Sequence, residues 1–443
     1  MTPPDLHSQG VTWQMWLAGA ILLVTYIFIF SEKIHRTSAA IIGAVVMIGF
    51  GLWAGFYTQT AAIQAIDGNT ILLLAGMMMM VAMLRATGAM QYAAIRMSKL
   101  SGHHPKLLFV YLCALVSVIS MFLDNVTTIV IFAPLTILIT RIMNLNPQPY
   151  LMAEAMLSNI GGVATLVGDP PNIMIGSAAG IHFTQFLVHM GPPVLLIWAV
   201  VTVTLLWLFR QELIPPPDFT GEVRMDESKA IKDAHALKVV LGALTVVIIL
   251  FFLHHHFGLT PAYVTFIGVA LALALLRLDL QEILQEVEWT VLLFFAALFV
   301  IVGGVEGSGL LHLLGEQLAV FAKNPDNLLA TTLGLLWMAA ILSAVVDNIP
   351  FTLTMIPIIA SLEGLGVNIT PLWWALALGA GLGGNGSHIG ATANIICVSE
   401  SERCGIPEAR ITPQLWLRKG LVVMVVSLLI ASGVFVIFFE FFQ

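Results

Sequence analysis

Two four-residue stretches carry the groups best placed to do chemistry: Asp124-Asn125-Val126-Thr127 and Asp347-Asn348-Ile349-Pro350. Both interrupt long apolar runs. A carboxylate inside a membrane span costs about 3 kcal/mol on insertion scales and by default marks an ion or proton pathway, so Asp124 and Asp347 are expected to bind H+ or Na+. Asp-Asn before a helix is also a good N-cap, a role that can coexist with ion binding. Each aspartate is followed ten residues later by a proline, Pro134 and Pro357, and the aspartates lie 223 positions apart.

A second pair of motifs repeats at nearly the same offset. Gly161-Gly162-Val163-Ala164-Thr165-Leu166-Val167-Gly168-Asp169-Pro170-Pro171-Asn172 lies over Gly383-Gly384-Asn385-Gly386-Ser387-His388-Ile389-Gly390-Ala391-Thr392-Ala393-Asn394 without a gap. The glycine pair, the hydroxyl, the single glycine and the final asparagine coincide. Two matches at one offset indicate a duplicated unit of about 150 residues. Asn125, Thr127, Thr165, Asn172, Asn348, Asn385, Ser387 and Asn394 are candidate ligands for ion or solute through neutral oxygens and N–H groups. Their alternative use is hydrogen bonding within the fold. Gly161, Gly162, Gly168, Gly383, Gly384, Gly386 and Gly390 are expected to allow backbone conformations that other residues resist.

Two titratable residues break the symmetry. Asp169 stands where the second copy has Ala391, and His388 where the first has Leu166. Together in one cavity they would point to proton coupling, since imidazole titrates near neutral pH and burial favours the uncharged carboxylic acid. Glu154 and Glu306 are further candidates, the latter expected at the outer interface.

These motifs must be held by an apolar scaffold. Hydrophobic residues make up 59 % of the 443 and charged residues 10 %. With a mean hydropathy of +0.96, this is the composition of a polytopic membrane protein, as a soluble chain carries about a quarter charged residues. The net charge of −7 says little, because the sidedness of Lys and Arg matters more than their sum. Cys113, Cys397 and Cys404 are too few and scattered for a disulfide framework or zinc site. His254-His255-His256 cannot all face one ion, being adjacent, and is expected to be an inert interfacial triplet. Met77 to Met80 reads as packing, and Trp13, Trp16, Trp289, Trp373 and Trp374 as an aromatic belt.

A hydrocarbon core about 30 Å thick needs about 20 helical residues. Spans are expected at 13–30, 38–56, 70–88, 186–209, 239–256, 260–277, 289–306 and 417–440. The first follows a leader without Lys, Arg or a cleavage pattern and is read as retained, not as a signal peptide. Runs 107–141 and 328–361 are broken at the aspartates, giving halves that reach only about 25 Å, as re-entrant hairpins would. Runs 150–178 and 371–399 are spans unwound at the glycine motifs, the first also by Pro170-Pro171. Segments 89–106 and 310–326 are expected to be interfacial helices.

The organisation that follows is residues 1–37 as a first span and cytoplasmic loop, 38–209 as the first repeat, 210–259 as a cytoplasmic linker and linking span, and 260–443 as the second repeat. With the N-terminus outside, 17 of the 18 basic residues fall on the cytoplasmic side, Arg224 and Arg277 among them, and only Lys323 outside. Ten spans then leave both termini outside, and the repeats enter the membrane in opposite senses. Irregular backbone at membrane depth is tolerated only where it is buried in protein or lines a wet cavity, so the four breaks must converge on a site near the midplane.

The paired Asp-Asn tips, Gly168-Asp169-Pro170-Pro171-Asn172 and Gly383-Gly384-Asn385-Gly386 resemble the ion transporter superfamily over nearly the whole chain. Within it they are most similar to citrate-transporter-like permeases of the branch that holds ArsB-type arsenite exporters, NhaD-type antiporters and the melanosomal P protein. The resemblance implies an all-α fold of two inverted-topology repeats, each with a re-entrant hairpin and an unwound helix. It implies a homodimer in the cell (inner or plasma) membrane, with scaffold and transport domains and an elevator motion. It also implies Na+ sites between each hairpin tip and the adjacent unwound loop. Dicarboxylate-transporting relatives have serine where this chain has Asp124 and Asp347. Two ionised aspartates would each repel a dicarboxylate by about 4 kcal/mol at 4 Å and an effective dielectric of 20.

The sequence therefore points to a secondary active transporter, coupled to H+ or Na+, for a small inorganic ion or weak-acid metalloid: Na+/H+ antiport or arsenite-type export. A Na+-coupled anion or dicarboxylate carrier is the alternative. A passive channel and an intramembrane aspartyl protease are remote; a dyad needs two carboxylates sharing a proton but no twin glycine-rich helices. No cofactor is expected, no metal beyond a coupling Na+, and no nucleic-acid partner.

Overall fold

The computed structural model describes residues 12–31, 33–102, 104–215, 227–276 and 279–443. Arg224, Arg277 and the start of the leader lie outside them, as does the middle of the 210–238 linker. The described residues form helices α1 (Trp13–Ser31), α2 (Arg36–Ala54), α3 (Gln59–Ala65), α4 (Gly68–Ala86), α5 (Ala89–Leu100), α6 (Pro105–Ser120), α7 (Asn125–Ile142), α8 (Gln148–Val163), α9 (Pro170–Ala179) and α10 (Phe183–Leu208). There follow α11 (Ala234–Leu253), α12 (Pro261–Leu275), α13 (Leu280–Gln285), α14 (Trp289–Gly307), α15 (Leu310–Ala322), α16 (Pro325–Val345), α17 (Asn348–Glu363), α18 (Thr370–Gly383), α19 (Thr392–Arg403) and α20 (Pro413–Ile437).

Helix starts follow local chemistry. The hydroxyls of Thr260 and Thr412 accept from Tyr263 and Leu415 N–H at the N-termini of α12 and α20, each with proline at the first helical position, where its missing N–H costs nothing. Asp233 accepts from the N–H groups of His235 and Ala236 at 2.8 and 2.9 Å and starts α11.

The helices gather into two compact units. One contains residues up to Ile71, Glu288–Leu328 and Leu353–Ile369. Within it, small residues let backbones approach: Gly43 of α2 lies against Thr25 of α1, and Gly304 of α14 against Met47 of α2. Thr37 and Tyr57 donate to the carbonyls of Thr290 and Val300 at 2.9 and 3.0 Å. The outer faces of α1 and α2 are apolar and exposed, with Trp16 and Trp53 more than 70 % accessible, as lipid-facing surfaces are.

The other unit comprises Leu72–Val287, Leu329–Thr352 and Thr370–Gln443. At its core are α8 and α18, buried on nearly every residue. Each is the first half of an interrupted span: α8 breaks at 164–169 before α9, and α18 breaks after a 3-10 turn, Gly384–Gly386, before α19. The hairpins α6–α7 and α16–α17 turn at 121–124 and 346–347. Ser120 donates to the Ser158 carbonyl at 2.8 Å, and Ser343, its repeat counterpart, to that of Ala380 at 2.6 Å. The hydroxyls of Thr165 and Ser387, in the breaks, donate to the tip carbonyls of Met121 and Ala344. Tips pinned to the middle of an interrupted span stop at that depth, so the hairpins are re-entrant. The fold is all-helical among the described residues, and each repeat has a hairpin and an interrupted helix of the expected kind.

Three details differ from the sequence reading. Short helices α3 and α13 occupy equivalent places in the two repeats, capped by Thr58 and Asp279, and hydropathy gave no sign of them. Trp373 and Trp374 are not belt residues; both are buried in the core, where Trp374 stacks on His189 with centroids 4.7 Å apart. None of the seven motif glycines has a positive φ. Their role is close approach: a methyl group on Gly161 would collide with the Ser117 carbonyl, and one on Gly383 with that of Ala340.

Candidate functional site

Four helices, α7, α9, α17 and α19, begin at the four breaks, so each presents an N-terminus with free N–H groups and partial positive charge there. Asp124 caps α7: its carboxylate accepts from Thr127 N–H at 2.8 Å and from the Thr127 hydroxyl at 2.6 Å. Asp347 cannot copy this, because Pro350 stands where Thr127 stands and offers neither N–H nor hydroxyl. It accepts instead from Ile349 N–H and from the Thr392 hydroxyl of the facing broken helix, both at 3.3 Å. Both carboxylates are half-buried.

Asp169 is buried at the start of α9, 2 % exposed. Its Oδ2 accepts from Asn348 Nδ2 at 3.2 Å, joining the first broken helix to the second hairpin tip. Asp347 and Asp124 lie within electrostatic reach of it. Among the described residues, no lysine or arginine pairs with Asp124 or Asp169. Asp169 thus has two further carboxyl groups, from two other elements, within electrostatic reach, a set with the chemistry to hold protons or a hard cation.

The asparagines divide by role. Asn172 Nδ2 donates to the carbonyls of Gly162 and Thr165 at 3.1 and 2.9 Å, and Asn394 Nδ2 to those of Gly384 and Ser387 at 2.8 and 2.9 Å. These matched clamps spend both donors of each amide on holding the broken loop. Asn125 and Asn385 instead meet a residue the sequence reading passed over. Asn159 of α8 donates to Asn385 Oδ1 at 2.9 Å and to Asn394 Oδ1 at 3.0 Å, and accepts from Asn125 Nδ2 at 3.1 Å. Asn385 Nδ2 in turn donates to the Met156 carbonyl at 3.1 Å. All four amides are buried. Repeat matching hid Asn159, whose counterpart is Gly381; its polarity within an apolar run was the available signal.

The remaining candidates stand apart. His388 is half-buried and makes no hydrogen bond with a described residue; nothing joins it to Asp169. Glu154 is fully buried on α8, accepting from the Thr136 hydroxyl at 2.6 Å. Glu306 is exposed.

This architecture has relatives. A family model described as citrate transporter matches residues 26–379. An uncharacterized transporter of Mycobacterium tuberculosis is 36 % identical over 424 residues, covering 94 % of this chain and 96 % of that protein. The human P protein is 32 % identical over 476 residues, 89 % of this chain but 57 % of that longer protein. Among solved structures, the YdaH transporter of Alcanivorax borkumensis, reported with an unusual topology, aligns with a TM-score of 0.59 at 14 % identity, covering 97 % of this chain and 98 % of its own, and so shares the fold. The chain belongs to the citrate transporter family of the ion transporter superfamily, and is a multi-pass membrane transporter rather than an enzyme.

Proposed function

We propose that this protein is a secondary active transporter in which Asp169, Asp347 and Asp124 take up H+ or Na+ and drive movement of a small inorganic ion or weak-acid metalloid. The observation that carries this reading is the buried Asp169, bonded to the second hairpin tip and within electrostatic reach of Asp347 and Asp124, with no lysine or arginine among the described residues paired to Asp124 or Asp169. Such a site attracts cations and repels carboxylate solutes. Na+/H+ antiport and proton-coupled export of an arsenite-like acid both use it. Transport proceeds by an elevator motion in a homodimer of the cell membrane, with both termini outside and the repeats spanning 38–209 and 260–443.

A Na+-coupled anion or dicarboxylate carrier is the second reading, supported by the description of the family and by the four helix N-termini, which favour an anion. Reconstitution in proteoliposomes with an internal pH-sensitive dye decides between them. Na+, Li+, K+, arsenite, silicate and citrate are added in turn to wild type, Asp169→Asn and Asp347→Asn. Proton flux that depends on a cation or on arsenite and is lost in both variants supports the first reading. Citrate uptake that survives both substitutions overturns it in favour of the second.

A further inference from the structure

Far from the aspartates in sequence, the turn between α9 and α10 meets the turn between α11 and α12. His182 comes from the first, His254 and His255 from the second. The His182 and His255 rings are 3.8 Å apart between centroids with planes 32° from parallel, and His182 and His254 are 5.7 Å apart. Around them Phe183 stacks on Phe251, with centroids 5.3 Å apart, and Thr184 donates to the Phe252 carbonyl at 3.4 Å. His254 is only 5 % exposed. Its Nδ1 lies 2.9 Å from the Leu259 carbonyl, which makes Nδ1 the protonated nitrogen of the neutral ring and leaves Nε2 a bare acceptor; Nε2 is buried without a partner among the described residues.

The surroundings offer no compensating charge. Residues 173–209 and 239–276 contain no Asp, Glu, Lys or Arg. Beyond the three rings, the titratable groups in these two stretches are His256, centred 5.9 Å from His255, exposed Tyr263 on α12, and His189 on α10, stacked between Trp374 and Phe441; His235 and Lys238 stand at the opposite end of α11. The 3-10 turn Phe439–Phe442, which packs on His189, adds the exposed Glu440. Neutral imidazoles can stack in such a place; two imidazolium rings at 3.8 Å repel each other. In keeping with this, burial and then the neighbouring His255 and His254 push the His182 imidazole below its ordinary 6.5.

We propose that His182, His254 and His255 form an acid-sensitive latch between these two turns, closed while the rings are neutral and opened when more than one takes up a proton. The latch lies at the end of α9, the short helix that begins beside Asp169, so opening frees the far end of a site helix.

A lowered imidazole favours the neutral ring in the folded state. The contact's stability is therefore full above the ordinary value and falls as pH drops through it toward the lowered one. The test compares thermal unfolding of the purified full-length protein between pH 7.5 and 5 with that of His182→Phe/His255→Phe, which keeps two stacked rings but removes their protons. Wild type is expected to lose at least about 2 °C more than the variant on acidification; superimposable curves overturn the latch. Histidine-ring NMR on wild type needs no variant. Coupled titration with one ring below the ordinary value supports the proposal, and independent titrations at the ordinary value overturn it. Among the described residues no three His, Cys, Asp or Glu are arranged to hold a metal. If Zn2+ raises the melting temperature of wild type but not of the variant, the cluster is a metal site and the latch is wrong.

Discussion

The two halves of the site share a backbone and differ in side chains. Both have a tip serine on the facing span, Ser120 and Ser343, a loop hydroxyl on the tip, Thr165 and Ser387, and a clamping asparagine, Asn172 and Asn394. Among the positions that part company are Asn159 against Gly381, Val163 against Asn385, Leu166 against His388, and Asp169 against Ala391. The absent side chain at Gly381 leaves room for Val163 and Asp169. One face of the site is thus an amide cluster and the other a buried carboxyl. What was kept twice holds the breaks open; what occurs once is where chemistry can differ between the halves.

The sharpest way to break this comparison is Asp169→Asn, which removes the unduplicated carboxyl but keeps an acceptor for Asn348. Coupled transport in proteoliposomes is expected to fall about a hundredfold, equivalent to about 2.7 kcal/mol, with little change in melting temperature. If flux is unaffected, the buried carboxyl is a structural acceptor only.

Asn159→Gly makes the first half imitate the second. It strips Asn385 and Asn394 of a donor and Asn125 of an acceptor in a buried site, and is expected to cost about 3 kcal/mol in denaturant unfolding. Gly161→Ala and Gly383→Ala should each cost about 2 kcal/mol, because each methyl group meets a carbonyl of the adjacent hairpin. A large inequality between the two would show that the halves are not packed alike.

The smallest effect separates the tips. Asp124→Ala should lower stability by about 1 kcal/mol through its cap, and Asp347→Ala by less, since Pro350 leaves it a poorer cap to lose. In transport the order should reverse, with Asp347→Ala the more damaging. Equal flux in the two variants would return both aspartates to the same role.

Much of this was legible in the sequence. The nearly equal offsets between Asp124 and Asp347, and between the glycine motifs, placed tips and breaks within a few residues, because apolar runs cannot tolerate such residues without a reason. Asn159 was not legible: its neighbours recur in both repeats, whereas its own partner position, Gly381, is a glycine. The use of Asn172 and Asn394 as clamps was hidden too, since an amide that binds an ion and one that ties a loop look alike until their partners are seen. His182 meets His254 and His255 through packing between turns about 70 residues apart, which no periodicity encodes.

The Asn159 amide donates to residues 226 and 235 positions further along the chain. Without the second repeat, the Asn159 amide of the first lacks both of the acceptors that it uses in the folded protein. Lipid cannot supply an acceptor. The first half of the chain is consequently not half of a working site: the second broken helix completes the site and satisfies the first repeat together.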